Sequence, residues 1–432
     1  MSQQIPSLVL KQIHEMMLND SIKGIPGGVE PFPLREISKQ GWNVLREDLP
    51  LPLMVLKQEA LRHNSELMQH YLQRCNLFLA PHGKTHMAPQ LFDLQIAAGA
   101  WAITAATVSQ IQIYRRFGVQ RILMANQLFG RQNVLYIVEE INRDPKFEFY
   151  CLMDSADGVR YLAKMLRQCK LSRPIKVLLE AGFHGGRTGF RTLEGARQAI
   201  GELRASSDVL TIAGVEGFEG IIGLERSDDA TRKVDDLLCF VRSILDELTV
   251  EDFSTVGEVV LSAGGSDYFD RVAESFRKAS FALPKRIVLR SGCYLTHDSG
   301  MYQKAQERRV ARGWDQGEFR PALELWSYVQ SLPEPELAIL TMGKRDCAYD
   351  YSLPQPEKSY RRSAGERELP DCRIRTLNDQ HAYMTFPAGT DLKVADMIAC
   401  GISHPCAAFD KWRFIPVVDE AYDIIDAIIT FF

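Results

Sequence analysis

Three stretches of this chain bring together residue types that can do chemistry. The first is Pro81-His82-Gly83-Lys84-Thr85-His86, a lysine set between two histidines. A lysine drawn out of water has a lowered pKa and becomes a usable nucleophile and base. Left in solvent it is only a loop charge, and the histidines beside it only satisfied polar groups. The second is a pair of small-residue stretches, Ser262-Ala263-Gly264-Gly265-Ser266 and Ser291-Gly292-Cys293-Tyr294. Small residues let backbone N–H groups approach an anion closely, although an isolated Gly-Gly is usually just a turn. The third is His404-Pro405-Cys406. Residues i and i+2 of an extended segment face one side. Imidazole plus thiolate make a good zinc pair, too few ligands for a structural site but enough for a catalytic one. Taken alone, the same pair reads as two buried side chains without metal. His381, in Asn378-Asp379-Gln380-His381, lines the same place or satisfies a turn.

The hydrophobic pattern supplies a scaffold for these residues. Short apolar runs occur at Leu77–Ala80, Ala100–Thr104, Arg121–Ala125, Phe147–Met153, Ile175–Glu180, Thr211–Phe218, Glu258–Ser262 and Arg286–Arg290. Helix-period segments follow most of them, among them Pro89–Ala98, Val108–Phe117, Gly158–Cys169, Leu193–Leu203 and Ala230–Leu248. Such alternation argues for a parallel sheet. Eight units over about 250 residues suit a (β/α)8 barrel, with an open doubly wound sheet as the alternative. In a barrel the active site lies at the C-terminal strand ends, and the loops after strands seven and eight form a recurrent phosphate site. Lys84 then stands at the end of the first strand, with the two small-residue stretches at the ends of the seventh and eighth. Together they fit a phosphorylated aldehyde cofactor. The fifth strand ends in a Gly-rich loop whose Arg187 either meets the cofactor's phenolate oxygen or is simply solvated.

The alternation stops near Tyr302. Arg308 to Arg320 is charged and contains glycine, as a linker would. Beyond it Ala322–Tyr328, Glu336–Thr341, Ile374–Leu377 and Met397–Ser403 read as strands between Pro- and Gly-rich turns, and Ala421–Phe432 as a strand or short helix. Near the start, Leu8 to Met17 reads as a short amphipathic helix. The expected organisation is an N-terminal extension over 1–45, a barrel over 46–307 and an all-β domain over 308–432. The length of 432 residues suits a barrel plus a smaller partner, and 46% hydrophobic with 25% charged residues is an ordinary globular composition. A net charge of −4 without a basic stripe argues against a nucleic-acid binder. No apolar run is long enough to span a bilayer. Nine scattered cysteines and an N-terminus without a secretory pattern point to a reduced, cytoplasmic compartment.

The stretch Pro81–His86 with the following Gln95-x-x-x-Gly99-Ala100, then Leu123-Met124-Ala125-Asn126-Gln127, and His404-x-Cys406 together resemble the fold-type III pyridoxal 5′-phosphate (PLP) enzymes. The likeness is to the D-serine dehydratase and D-threonine aldolase group and runs from about Leu51 to Phe409. Ala80 stands where the family's Arg-Pro-His-x-Lys-Thr-His signature has arginine. The resemblance implies an alanine-racemase-type barrel with a C-terminal β domain, and a homodimer whose active sites draw on both subunits. It implies a Schiff base on Lys84, with phosphate contacts from Gly264, Gly265, Ser266, Gly292 and Cys293, and His82 and Tyr294 also at the cofactor. Arg187 matches the arginine near the phenolate oxygen, and Arg290 sits where alanine racemases face the pyridine nitrogen with an arginine. His-x-Cys points to the dehydratase branch, since the aldolases more often show His-x-Asp. The leader and Ser403 to Trp412 look most like the group's bacterial amino-acid deaminases.

The reaction so implied is β-elimination from a D-3-hydroxyamino acid such as D-serine, giving an oxo acid and ammonia. Lys84 removes the α-proton, PLP delocalises the charge, and zinc or another divalent metal on His404 and Cys406 turns the β-hydroxyl into a leaving group. Retro-aldol cleavage is the alternative. Racemisation is a third reading and needs a second base, for which Tyr349 and Tyr383 are available. A PLP carrier without turnover is the remaining class, and the second domain with its metal pair argues against it.

Overall fold

A strand covered on both faces needs no polar alternation, so continuous apolar runs mark buried parallel strands. The computed structural model describes residues 5–222 and 228–432. The chain divides into two compact units. One comprises Gln69–Lys84 and Gln95–Gly292 with the described residues up to Leu8; the other comprises Val9–Met68, Thr85–Leu94 and Cys293–Phe432.

In the first unit all eight expected strands form: β1 (Phe78–Leu79), β2 (Ile103–Ala105), β3 (Arg121–Gln127), β4 (Glu148–Met153), β5 (Ile175–Ala181), β6 (Leu210–Gly217), β7 (Val259–Ala263) and β8 (Lys285–Leu289). They hydrogen-bond in the order β1-β8-β7-β6-β5-β4-β3-β2. A parallel bridge from His82, just past β1, to Thr104 of β2 joins the two ends. The sheet therefore curls into a barrel, and the open-sheet alternative falls away. Leu123, Tyr150, Leu178, Val260 and Val288 are among the buried side chains of its core, each contributing on the order of 1.5–3 kcal/mol of burial. Helices Val108–Arg116, Ala156–Arg167 and Leu193–Arg204 start where Thr107, Ser155 and Thr192 accept a hydrogen bond from the backbone N–H three residues on, the usual N-cap device.

The strand starts carry charge. Arg121 donates to Glu148 at 2.7 Å and Lys176 to the same carboxylate at 2.8 Å, while Arg286 pairs with Glu258 at 2.8 Å. These residues line a cavity of about 390 Å³. It lies at the N-terminal face, where a barrel's residues serve stability rather than catalysis.

The second unit is built on an antiparallel sheet. Its long strand Leu323–Glu334 pairs with Leu53–Lys57, Met397–Gly401 and Leu337–Leu340. The tail is a strand, Ile424–Ile429, antiparallel to Phe414–Val418. Two expectations change. The presumed linker begins as helix, Met301–Ala311, whose buried residues are Ala305, Gln306 and Arg309. Two of those three are polar, so the buried face shows no hydrophobic period. The N-terminal helix shrinks to Lys11–His14, with no side-chain cap at Leu10.

Candidate active site

Lys84 follows β1 on the tight turn Gly83–Thr85. Its side chain is exposed, so burial by the first unit does not supply the desolvation expected for it. His82 is half-buried, and its Nδ1 is buried without a hydrogen-bond partner. Burial, reinforced by the charges of Lys84 and Arg290, holds its pKa well below the usual imidazole range. The ring is therefore neutral at pH 7.

Arg290, immediately after β8, is buried and paired with the equally buried Glu216 at the end of β6. Its Nη2 also donates to the Gly217 carbonyl at 2.9 Å, while its Nε has no hydrogen-bond partner. Two further carboxyl groups lie at strand ends. Glu180, on β5, accepts from Gln127 and Thr188, each at 2.5 Å, and Glu219 accepts from the Gly264 N–H at 3.2 Å. Burial raises all three pKa values, that of Glu216 to about 8, against the opposing charge of Arg290. One guanidinium faces three buried carboxyl groups, so burial disfavours the charged form of each.

The loops after β7 and β8 are tied together by the Ser291 hydroxyl, which donates to the Gly265 carbonyl at 2.5 Å. A Cβ on Gly264 would lie 2.3 Å from the Phe218 ring, and Gly265 has φ +42° with a Cβ position 2.9 Å from Glu219 Oε1. Both positions therefore demand glycine. The N–H groups of Gly264 and Gly265 are both directed at the Glu219 carboxyl. The expected phosphate donors thus hold a carboxyl group of the protein itself, because Glu219 is fully buried and takes the nearest N–H groups. Ser266 and Gly292 complete the loops in this unit. Arg187 is exposed, its guanidinium 4.7 Å above the Phe218 ring.

The residues present fit PLP: a lysine at a strand end, and buried His82 Nδ1 and Arg290 Nε left without hydrogen-bond partners. The acids Glu180, Glu216 and Glu219 were not foreseen as a group. The one local signal was two acids, Glu216 and Glu219, within four residues at the end of an apolar strand.

Within the second unit, Cys293 and Tyr294 are buried. Cys293 Sγ lies 3.5 Å from Cys406 Sγ, and the Thr85 hydroxyl is 3.6 Å from the first sulfur and 3.5 Å from the second. Together with Cys293, the His404 imidazole lies close enough to Cys406 to hold its thiol well below the usual range, and the imidazole Nδ1 meets Asp350 Oδ2 at 2.5 Å. The pair does face one side, but not by strand alternation. Pro405 is helical, φ −57° and ψ −43°, and Cys406 opens the short helix Cys406–Phe409. Proline favours a helix start, so a turn brings the two together. Burial opposes a charge on His404, yet Cys406 and Asp350 outweigh it and raise its pKa. Asp298 is buried, its carboxyl pushed up to about 7 by burial.

A ring held at one nitrogen by a carboxylate leaves the other for a metal, the arrangement common to histidine ligands. The donor chemistry fits a divalent ion. Among the described residues, however, no group of three or more His, Cys, Asp or Glu side chains is arranged to hold one. His381 lies in the turn between strands Arg373–Leu377 and Ala382–Thr385, where its carbonyl accepts from the Asn378 N–H at 2.9 Å. Tyr349 is exposed and Tyr383 half-buried on the second of those strands. Among the described residues no helix is long and apolar enough to cross a membrane.

Residues 322–418 match the family described as "Putative serine dehydratase domain". The chain is 24% identical over 311 residues to the 3-hydroxy-D-aspartate aldolase of Paracoccus denitrificans (strain Pd 1222), covering 71% of this chain and 75% of that protein. Among solved structures, the D-threonine aldolase of Filomicrobium marinum superposes with a TM-score of 0.72 at 20% identity, covering 89% of this chain and 95% of that one. The D-threo-3-hydroxyaspartate dehydratase of Delftia sp. HT23 does so with 0.67 at 16% identity, covering 90% and 99%. Alanine racemases share the fold. The strand order, the domain match and these relatives make the chain similar to the D-serine dehydratase and D-threonine aldolase group, whose fold, shared with the alanine racemases, it has.

Proposed function

We propose that the protein eliminates water from D-3-hydroxyamino acids such as D-serine, with PLP and a divalent metal, and yields an oxo acid and ammonia. The observation that carries this reading is the His404–Cys406 pair with Asp350 behind the imidazole. PLP, when bound, supplies delocalisation of the electron pair left at Cα. Lys84 Nζ receives the α-proton; its exposure leaves it room to swing between cofactor and substrate. Arg290, backed by Glu216, is the group for the pyridine nitrogen, and Arg187 for the phenolate oxygen. Ser266 and Gly292 would serve the phosphate, with Gly264 and Gly265 shaping the loop around it. His404 and Cys406 would hold the metal, whose Lewis acidity assists loss of the β-hydroxyl. A metal-free form of the D-threo-3-hydroxyaspartate dehydratase carries a cysteine-to-alanine substitution, in keeping with a thiolate ligand.

Retro-aldol cleavage is the second reading, favoured by the two relatives named as aldolases. The test is product identity. Purified protein is incubated with D-serine, D-threonine and D-threo-3-hydroxyaspartate, with and without a chelator, beside the Lys84→Ala variant. Elimination gives oxo acid and ammonia that fall away on chelation and in the variant. Glycine plus an aldehyde would transfer the protein to the aldolases, and absence of oxo acid under every metal condition would end the dehydratase reading.

A further inference from the structure

Ion pairs that only stabilise a barrel need no room between them, yet those at the N-terminal mouth surround a cavity of about 390 Å³. We propose that this cavity binds a small organic monocarboxylate, its carboxylate on Lys176 and Arg121 and its apolar body on Ala213, Val256 and Val260. All five residues line the cavity. Its volume falls within the range usual for small-molecule pockets, about 300–1,000 Å³.

Among the described residues the lining holds three cations, Arg121, Lys176 and Arg286, against two carboxylates, Glu148 and Glu258. Arg286 and Glu258 pair with each other at 2.9 Å and 2.8 Å. The surplus charge therefore lies at Glu148, which serves both Arg121 and Lys176. One further negative charge balances the lining, and the partly enclosed setting strengthens its attraction. A donor is ready for it. An ammonium carries three N–H groups. Lys176 directs one to Glu148 at 2.8 Å and one to the Tyr150 hydroxyl at 3.2 Å, and the third has no partner among the described residues.

The room for an apolar body comes from β6. Its register against β5 shifts by one residue at the mouth: Val177 lies opposite Ile212, but Leu178 lies opposite Gly214. Ala213 is the extra residue. Bulges re-aim side chains, and this one puts a single methyl group into the lining, where β5 on one side supplies Lys176 and β7 on the other Val260. Gly214 permits the bulge, because a Cβ there would lie 1.8 Å from the Val260 carbonyl oxygen. The ring of charges is thus interrupted by an apolar gap, beside the buried Trp101 and Tyr150. A charged rim beside an apolar wall suits a ligand with one charge and a short hydrocarbon body.

Benzoate and isobutyrate are the probes, with benzamide as the uncharged control and inorganic phosphate as the small-anion control. Each is titrated into the PLP-loaded full chain and followed by ligand-observed NMR, which detects weak binding. Both acids are expected to bind, with benzamide and phosphate about tenfold weaker or more. Lys176→Gln removes the surplus charge and should weaken benzoate about tenfold. Glu258→Gln enlarges the surplus and should tighten benzoate severalfold, a change of sign that mere loosening of the rim would not give. Ala213→Leu fills the gap and should abolish binding of both acids. Melting temperature and visible PLP absorption report whether each variant is folded. Benzoate affinity unchanged in Lys176→Gln and in Ala213→Leu would put the binding elsewhere in the chain and overturn the site. Benzamide or phosphate binding as well as benzoate would overturn the ligand class. Absence of binding by either acid at millimolar concentration would overturn the proposal as a whole.

Discussion

Substituting Gly264 by alanine tests how the barrel mouth is held. The new Cβ would lie 2.3 Å and 2.5 Å from two carbons of the Phe218 ring, where ordinary contact begins at 3.4 Å. The ring must therefore move by about 1 Å, or the loop must retreat and loosen the Gly264 N–H to Glu219. Overpacking of this kind costs about 1–3 kcal/mol, and the half-buried ring has room to yield, so about 1–2 kcal/mol is expected. The same ring carries the Arg187 guanidinium at 4.7 Å. A displaced Arg187 loses a charge-assisted contact to the cofactor, and about 1.5 kcal/mol of that contact means roughly tenfold weaker PLP binding. The assays are thermal denaturation of the cofactor-free protein and PLP titration by visible absorption, with Arg187→Met alongside. Arg187→Met should reproduce the loss of affinity without the loss of stability. Unchanged melting and unchanged PLP affinity in Gly264→Ala would refute the reasoning. Lowered melting with normal affinity would detach Phe218 from the cofactor.

Removing the Asp350 carboxylate should weaken metal binding. Loss of such a histidine partner lowers affinity 10- to 100-fold, and because this carboxylate is 44% exposed the low end, about tenfold, is expected for Asp350→Ala. Competition against a chromophoric chelator measures it, and wild-type affinity would argue against a metal on His404. The N-terminal rim should make stability acid-sensitive. Burial raises the Glu148 pKa, but Lys176 and Arg121 more than offset it and bring it to about 2 from 4.5. A depressed carboxylate stabilises above the ordinary value, and that stability is lost as pH falls from about 4.5 towards 2. Allowing for partial solvent screening, Glu148→Gln should cost about 2 kcal/mol at pH 7 and less than half of that at pH 3. A gap that does not narrow between the two pH values in denaturant titrations would count against the pairing.

The barrel was legible in the chain because parallel strands buried on both faces write themselves as continuous apolar runs, and Lys84, Gly264 and Gly265 could be placed by strand order alone. His404 and Cys406 were legible too, being two residues apart, although a turn at Pro405 and not an extended strand joins them. The helix Met301–Ala311 was hidden because its buried face is largely polar. Only tertiary structure could gather Glu180, the Glu216–Glu219 pair and Arg290, since they come from three strand ends and their raised pKa values depend on burial that no single segment creates. The same holds for Asp350 behind His404 and for Cys293 beside Cys406: hydrogen bonds and ligand geometry act over a few ångströms of space, and distance along the chain carries no trace of them.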